Sequence, residues 1–163
     1  MSSVVVGLYD HECKRCPLNK AARSVCIPAD GPVPCDIMLI GEAPGYNEDN
    51  EGRPFVGDAG RELNALLMEV GLQRGSDIAI TNVVKCRPPS NRKPEKDEVE
   101  ACRIYLMREL EAIQPKVIVA LGGSAAKALT GKDKVGDSRG RLHKLLKLYR
   151  YDCPVIITFH PAA

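Results

Sequence analysis

The residues of this chain with the widest chemical reach are its seven cysteines, Cys13, Cys16, Cys26, Cys35, Cys86, Cys102 and Cys153. Cys13 and Cys16 stand in "CKRCPL", a C-x-x-C spacing at which two thiolates bind one metal ion or one iron–sulfur cluster. A complete site needs a second pair. Cys26 with Cys35 would make a small zinc knuckle, whereas Cys86 with Cys102 would tie the N-terminal segment to the body of the chain across "RPPSNRKPEKDEVEA". Spacing leaves both pairings open. Cysteine also serves as a small buried hydrophobe, the reading that suits Cys153 beside an apolar run. The count is odd and no secretion signal precedes it, so a disulfide framework is not expected.

A second group of residues lies at the ends of apolar runs. "GEAPGYNEDNEGRPFVGDAG" (residues 41–60) follows "DIMLI" and mixes glycines, prolines and acidic side chains with Phe55. With two Phe, five Tyr and no Trp in the whole chain, a phenylalanine in so polar a stretch attracts a functional reading. Asn82, Lys85 and Cys86 lie at and beyond the end of the next apolar run, "GGSAA" follows the third, and His160-Pro161 the fourth.

These residues must be positioned by the runs themselves. Residues 37–40, 78–84, 117–121 and 155–159 read as buried strands of a parallel sheet. Helical patterns separate them. Residues 58–70 carry Leu63, Leu66, Leu67 and Val70 on one stripe, ended by Gly71. Residues 94–113 open with Pro94 and acidic early turns, residues 124–129 are capped by Ser124, and residues 141–148 form a short basic helix. Strand–helix alternation predicts right-handed βαβ units and a three-layer α/β/α sandwich around a four-stranded parallel sheet. Open parallel sheets bind ligands beyond the carboxyl ends of their strands, so four unusual strand endings on one rim predict a site there.

The whole chain sets bounds on this. Its 163 residues suit one domain, 1–163, with residues 1–35 as an N-terminal segment carrying the C-x-x-C. The net charge of +2 does not by itself indicate nucleic-acid binding, although local basic clusters can. Apolar runs are too short to cross a bilayer and no signal peptide is evident, so a cytoplasmic setting is expected. Neither repeats nor low-complexity tracts occur.

Taken together, "CKRCPL", the 41–60 stretch, "TNVVKCRPPSNRKP", Cys102, "VIVALGGSAAKAL" and the terminal "FHP" resemble the family 4 uracil-DNA glycosylases, in the family's own order and over nearly the whole chain. The resemblance implies a DNA repair glycosylase that flips and excises uracil, and a 4Fe-4S cluster on Cys13, Cys16, Cys86 and Cys102, with Cys26, Cys35 and Cys153 free. It also implies a pocket in which Gly41 and Gly45 make a tight turn, Phe55 stacks on uracil, and Glu42, Glu48 and Asp49 lie in or beside it. Asn82 would read the N3–H and O4 edge with its planar amide. His160 would face O2, and Glu42, Glu48 and Asn91 would position the attacking water. Arg87, Arg139, Arg141 and Lys144 would hold DNA phosphates.

Family members usually continue "HPS" into a leucine loop and a final helix, whereas this sequence reads "HPAA" and ends at Ala163. The expectation is therefore a domain cut short at its C-terminal end, with uracil-containing DNA as its partner, single strands preferred, and a possible setting within or beside replication or repair proteins. The second reading is a non-catalytic DNA-binding or assembly domain of such a larger protein.

Overall fold

The computed structural model describes residues 8–162, so the first residues of the N-terminal segment and Ala163 lie outside it. Five strands form one sheet: β1 (Ile37–Gly41), β2 (Ile78–Asn82), β3 (Val117–Leu121), β4 (Leu142–Lys144) and β5 (Pro154–Thr158). Their spatial order is β2-β1-β3-β5-β4. The expected four-stranded core is parallel throughout, and β4 joins its edge antiparallel to β5.

The period of two along each strand builds the layers. Met38 and Ile40 of β1, with Ile118 and Ala120 of β3, point to one face. There they pack on Leu106 and Leu110 of α3 (Lys96–Ile113) and on Ala125 and Leu129 of α4 (Gly123–Thr130). Leu39, Ile80 and Leu121 point to the other face, against Leu63 and Leu67 of α2 (Asp58–Glu69). Both faces of the sheet are thus covered, as the near-continuous apolar strands require.

Three expectations need correction. Ser124, expected to cap the helix after β3, lies inside α4, whose N-cap is Gly122. The basic helix expected over residues 141–148 is instead the short strand β4 followed by a single 3-10 turn at Lys147–Tyr149. Gly140, at φ +75°, turns the chain after α5 (Val135–Ser138) and donates its N–H to the Ile157 carbonyl at 3.3 Å. Edge pairing then outweighs the weak helical pattern. The 41–60 stretch, to which the pattern assigns neither helix nor strand, contains a six-residue helix, α1 (Tyr46–Glu51), bounded by Gly45 and by left-handed Gly52.

The outer edge of β2 is covered too. Asp30 exchanges two backbone hydrogen bonds with Ile80, at 2.9 and 2.8 Å, and Ile27 donates to the Lys85 carbonyl at 2.8 Å. Among the described residues no helix is long and apolar enough to cross a membrane.

Candidate active site

A cleft of about 200 Å³ opens at the carboxyl ends of the parallel strands. Glu42, Gly45, Glu48, Phe55, Asn82, Asn91 and His160 all line it, so three of the four strand endings singled out in the sequence, those of β1, β2 and β5, converge here, whereas the turn after β3 does not line the cleft.

Gly41 and Asn82 are register partners across β1 and β2. A Cβ on Gly41 would stand 2.4 Å from Cζ of Phe55 and 2.7 Å from Oδ1 of Asn82, so glycine is what lets ring and amide close over this strand end. Asn82 is buried, and its Oδ1 has no hydrogen-bond partner among the described residues. A buried amide oxygen left unpaired is costly, so an acceptor here is held ready for a donor that arrives with a ligand.

Phe55 adopts the left-handed conformation, φ +51°, uncommon for an aromatic residue. The surrounding chain enforces it. Arg74 donates one guanidinium nitrogen to the carbonyl of Phe55 and the other to that of Pro54. It also pairs with Asp30 at 3.3 Å, and Asp30 pairs with Arg53 at 2.9 Å. Burial lowers the pKa of Arg74 and Asp30 opposes that shift. This clamp was invisible in the sequence.

His160 stands beyond β5 with its ring centroid 6.0 Å from that of Phe55 and the two planes at 31°. Its Nδ1 accepts the Ala162 N–H at 3.1 Å. An accepting Nδ1 is unprotonated, which leaves the proton of the neutral ring on Nε2. Desolvation pushes the His160 pKa below the ordinary histidine value, and the Glu42 carboxylate pulls the other way. Gly122, at φ +94°, allows the turn after β3 to approach, since a Cβ there would lie 3.3 Å from Cβ of His160.

The acidic residues divide. Glu42 faces the cleft and His160. Glu48 also lines the cleft, but its carboxylate accepts three backbone N–H groups, from Gly45 at 2.9 Å and from Val56 and Gly57 at 2.8 Å each. It staples the start of α1 to the Phe55 loop. Asp49 is turned away from the cleft. Its carboxylate accepts the N–H groups of Arg23 at 3.0 Å and Ser24 at 2.9 Å, so it anchors the N-terminal segment rather than touching a base.

Behind Asn82 lies a buried polar network that sequence reasoning missed. Lys85, 1% exposed, donates to Glu109, to Thr81 and, at 2.7 Å, to the Asn82 carbonyl. Glu109, 0% exposed, also accepts from the Tyr9 hydroxyl at 2.6 Å and from the Ala29 N–H at 3.0 Å. Burial and the Glu109 carboxylate push the Tyr9 hydroxyl far above the phenol range. A lysine within "TNVVKC" and a glutamate, Glu109, on the buried stripe of α3 were the available signal.

Five of the seven cysteines come together. Cys13, Cys16, Cys86 and Cys102 line one small cavity beneath Tyr105, and Cys26, expected to stand apart, lines it with them. Cys35 lies in the main core, its thiol facing the carbonyls of Ile37 and Asp77, so the Cys26–Cys35 knuckle is excluded. Cys153 is a core residue as well. The Lys85 N–H donates to Sγ of Cys102 at 3.2 Å and the Cys26 N–H to Sγ of Cys86 at 3.3 Å. Backbone donors aimed at sulfur are the surroundings a coordinated thiolate requires. Among the described residues no three such groups already stand in ion-binding geometry. Desolvation raises the thiols of Cys86 to about 11 and of Cys102 to about 12.

Of the basic residues, Arg87 donates Nε to Oδ1 of Asn91 at 2.7 Å and lies over the Tyr46 ring. Arg139, Arg141 and Lys144 are exposed on and before β4, with Arg139 over the Phe159 ring.

Comparison with known proteins agrees with this architecture. The profile of the uracil DNA glycosylase superfamily matches residues 28–163. A type-4 uracil-DNA glycosylase of Pyrobaculum aerophilum is 44% identical over 156 residues, spanning 93% of this chain and 78% of that protein. Those of Saccharolobus solfataricus and Sulfurisphaera tokodaii are each 45% identical over 93% of this chain, covering 72% and 70% of their own lengths.

Proposed function

The chain belongs to the uracil DNA glycosylase superfamily and is a repair glycosylase that excises uracil from DNA; from that premise we propose how its residues divide the work. The observation that carries the proposal is the buried Oδ1 of Asn82, without a hydrogen-bond partner among the described residues, in a cleft shared with Phe55 and His160.

The flipped uracil stacks on Phe55 with its Watson–Crick edge toward Asn82. Oδ1 of Asn82 accepts N3–H and its amide donates to O4. Cytosine presents an unprotonated N3 and a donor at position 4, so both contacts fail and buried polar groups go unpaired. Gly41 and Gly45 keep the strand end and turn narrow enough for this approach. Glu48 holds the turn and Asp49 holds the segment behind it, both as positioning residues.

The C1′–N1 bond stretches, the sugar takes on oxocarbenium character, and the bonding pair departs with uracil. Nε2–H of neutral His160 donates to O2, where negative charge grows, a bond stronger in the transition state than before it. Water oriented by Glu42 and Asn91 adds to C1′ and loses a proton, leaving an abasic site and uracil. Arg87, Arg139, Arg141 and Lys144 hold the phosphates.

Cys13, Cys16, Cys86 and Cys102 would hold a 4Fe-4S cluster. When bound it supplies a structural cross-link between the N-terminal arm, the β2 end and α3, because excision itself transfers no electrons.

The test is release of free uracil from a uracil-containing oligonucleotide, with a cytosine-containing one as control. Release from the first alone supports the reading. Failure of Asn82→Ala to reduce it would remove Asn82 as the reader.

A further inference from the structure

Of the seven aromatic residues, all of which lie among those described, five are buried or half-buried and two are exposed: Tyr46 at 60% and Phe159 at 47%. Both exposed rings carry an arginine. The Arg87 guanidinium lies 5.3 Å from the Tyr46 ring centroid, and that of Arg139 lies 5.1 Å from the Phe159 centroid.

Their positions in the fold are related. Tyr46 follows β1 and Arg87 follows β2, on one side of the sheet, whereas Phe159 follows β5 and Arg139 precedes β4, on the other. Strand β3 lies between, and its Gly122 turn backs His160. Each ring also adjoins a residue of the cleft, Tyr46 next to Gly45 and Phe159 next to His160. One arginine–aromatic stack therefore flanks the cleft on each side.

We propose that these stacks are two base-binding jaws, in which Tyr46 and Phe159 each stack on a nucleobase adjoining the uracil on the same strand while Arg87 and Arg139 neutralise the intervening phosphates. A guanidinium covers one face of a ring and fixes its orientation, and the remaining exposed face accepts any base because every base has a π-face. The pairing of a planar cation with an aromatic platform suits a nucleotide, which offers an anion and a ring side by side. Gripping both neighbours holds the backbone on each side of the extruded nucleotide. The inference rests on the glycosylase reading above, since that reading puts uracil in the cleft.

The experiment uses the full chain and a single-stranded oligonucleotide carrying 2′-fluoro-deoxyuridine, whose fluorine resists hydrolysis by destabilising the oxocarbenium. 2-Aminopurine is placed on its 5′ or its 3′ side. Binding should quench the probe on both sides. Tyr46→Leu and Phe159→Leu keep apolar bulk at exposed positions, and each should abolish the quench on one side only. Each should also raise Kd roughly 5- to 100-fold. Tyr46→Trp and Phe159→Trp should retain both signals. A leucine variant that keeps the parent's affinity, or a probe quenched on neither side, overturns the proposal. Release of uracil from the ordinary deoxyuridine oligonucleotide by the parent is measured in parallel. Release alongside unaffected leucine variants sinks the jaws alone, whereas no release sinks the glycosylase reading.

Discussion

Gly60 of α2 lies against the carbonyl of Phe55, so that a Cβ at position 60 would stand 2.0 Å from the oxygen and 2.3 Å from the carbon. Both are backbone atoms and cannot swing aside. Gly60→Ala must therefore displace either α2 or the Phe55 loop. The expected result is a loss of about 1–3 kcal/mol in thermal stability, together with weaker inhibition by free uracil. Unchanged uracil inhibition would show that the ring does not depend on this contact.

Arg74 holds the same loop from the other side. Arg74→Met leaves two carbonyls without their donor and Asp30 with Arg53 as its remaining cation. Hydrogen bonds to charged groups of this kind contribute about 1.5–3 kcal/mol. KM for uracil-containing DNA should rise more than kcat falls, and Arg74→Lys, which keeps the charge but loses the fork, should recover only part of it. Equal effects of Met and Lys would argue against the bidentate clamp.

Asn82→Asp replaces an amide that offers both donor and acceptor with an acceptor-only carboxylate. Uracil excision should fall by at least about 10². Competition between uracil and cytosine substrates in one reaction measures it. A variant as fast as the parent would mean that some other group reads the base.

His160 titrates below the ordinary histidine value of 6.5 because it is partly desolvated. Its bond from the Ala162 N–H also requires an unprotonated Nδ1. The sign follows: in the window between its depressed folded pKa and 6.5 the unfolded chain binds more protons, so this group's contribution makes stability fall as pH falls through that window. His160→Asn should flatten the fall. His160→Ala should slow single-turnover excision about 10²–10³-fold while DNA affinity changes little. A titration midpoint above 6.5 by NMR would contradict the desolvated setting.

Aerobically purified protein should be brown, with iron and acid-labile sulfide present. Cys86→Ser should lose both, and with them the docking of the N-terminal arm, seen as faster proteolysis before residue 35. Stoichiometric zinc in colourless protein would replace the 4Fe-4S assignment.

What the sequence disclosed was whatever is local. Strand ends, the Gly41–Gly45 turn and His160 could be read because an apolar run followed by glycine, asparagine or histidine announces its own geometry. The clamp and the network could not. Arg74 meets Phe55 across 19 residues and Lys85 meets Glu109 across 24, and no periodicity links such partners. Helix α1 escaped notice because its order comes from the Glu48 carboxylate gathering backbone N–H groups rather than from an apolar stripe. The family resemblance put Asp49 in or beside the cleft, but one helical step turns it to Arg23 and Ser24.

The segment that lies along β2, from Ile27 to Asp30, is continuous with the arm that carries Cys13 and Cys16. It occupies the donors and acceptors that an open sheet would otherwise offer to a stranger. β4 does the same for β5 at the opposite margin. If the arm comes loose, the flank of β2 becomes a template on which a second molecule can add a strand. Failure to assemble the cysteine site would then appear first as self-association and precipitation, ahead of any defect in chemistry at the distant rim.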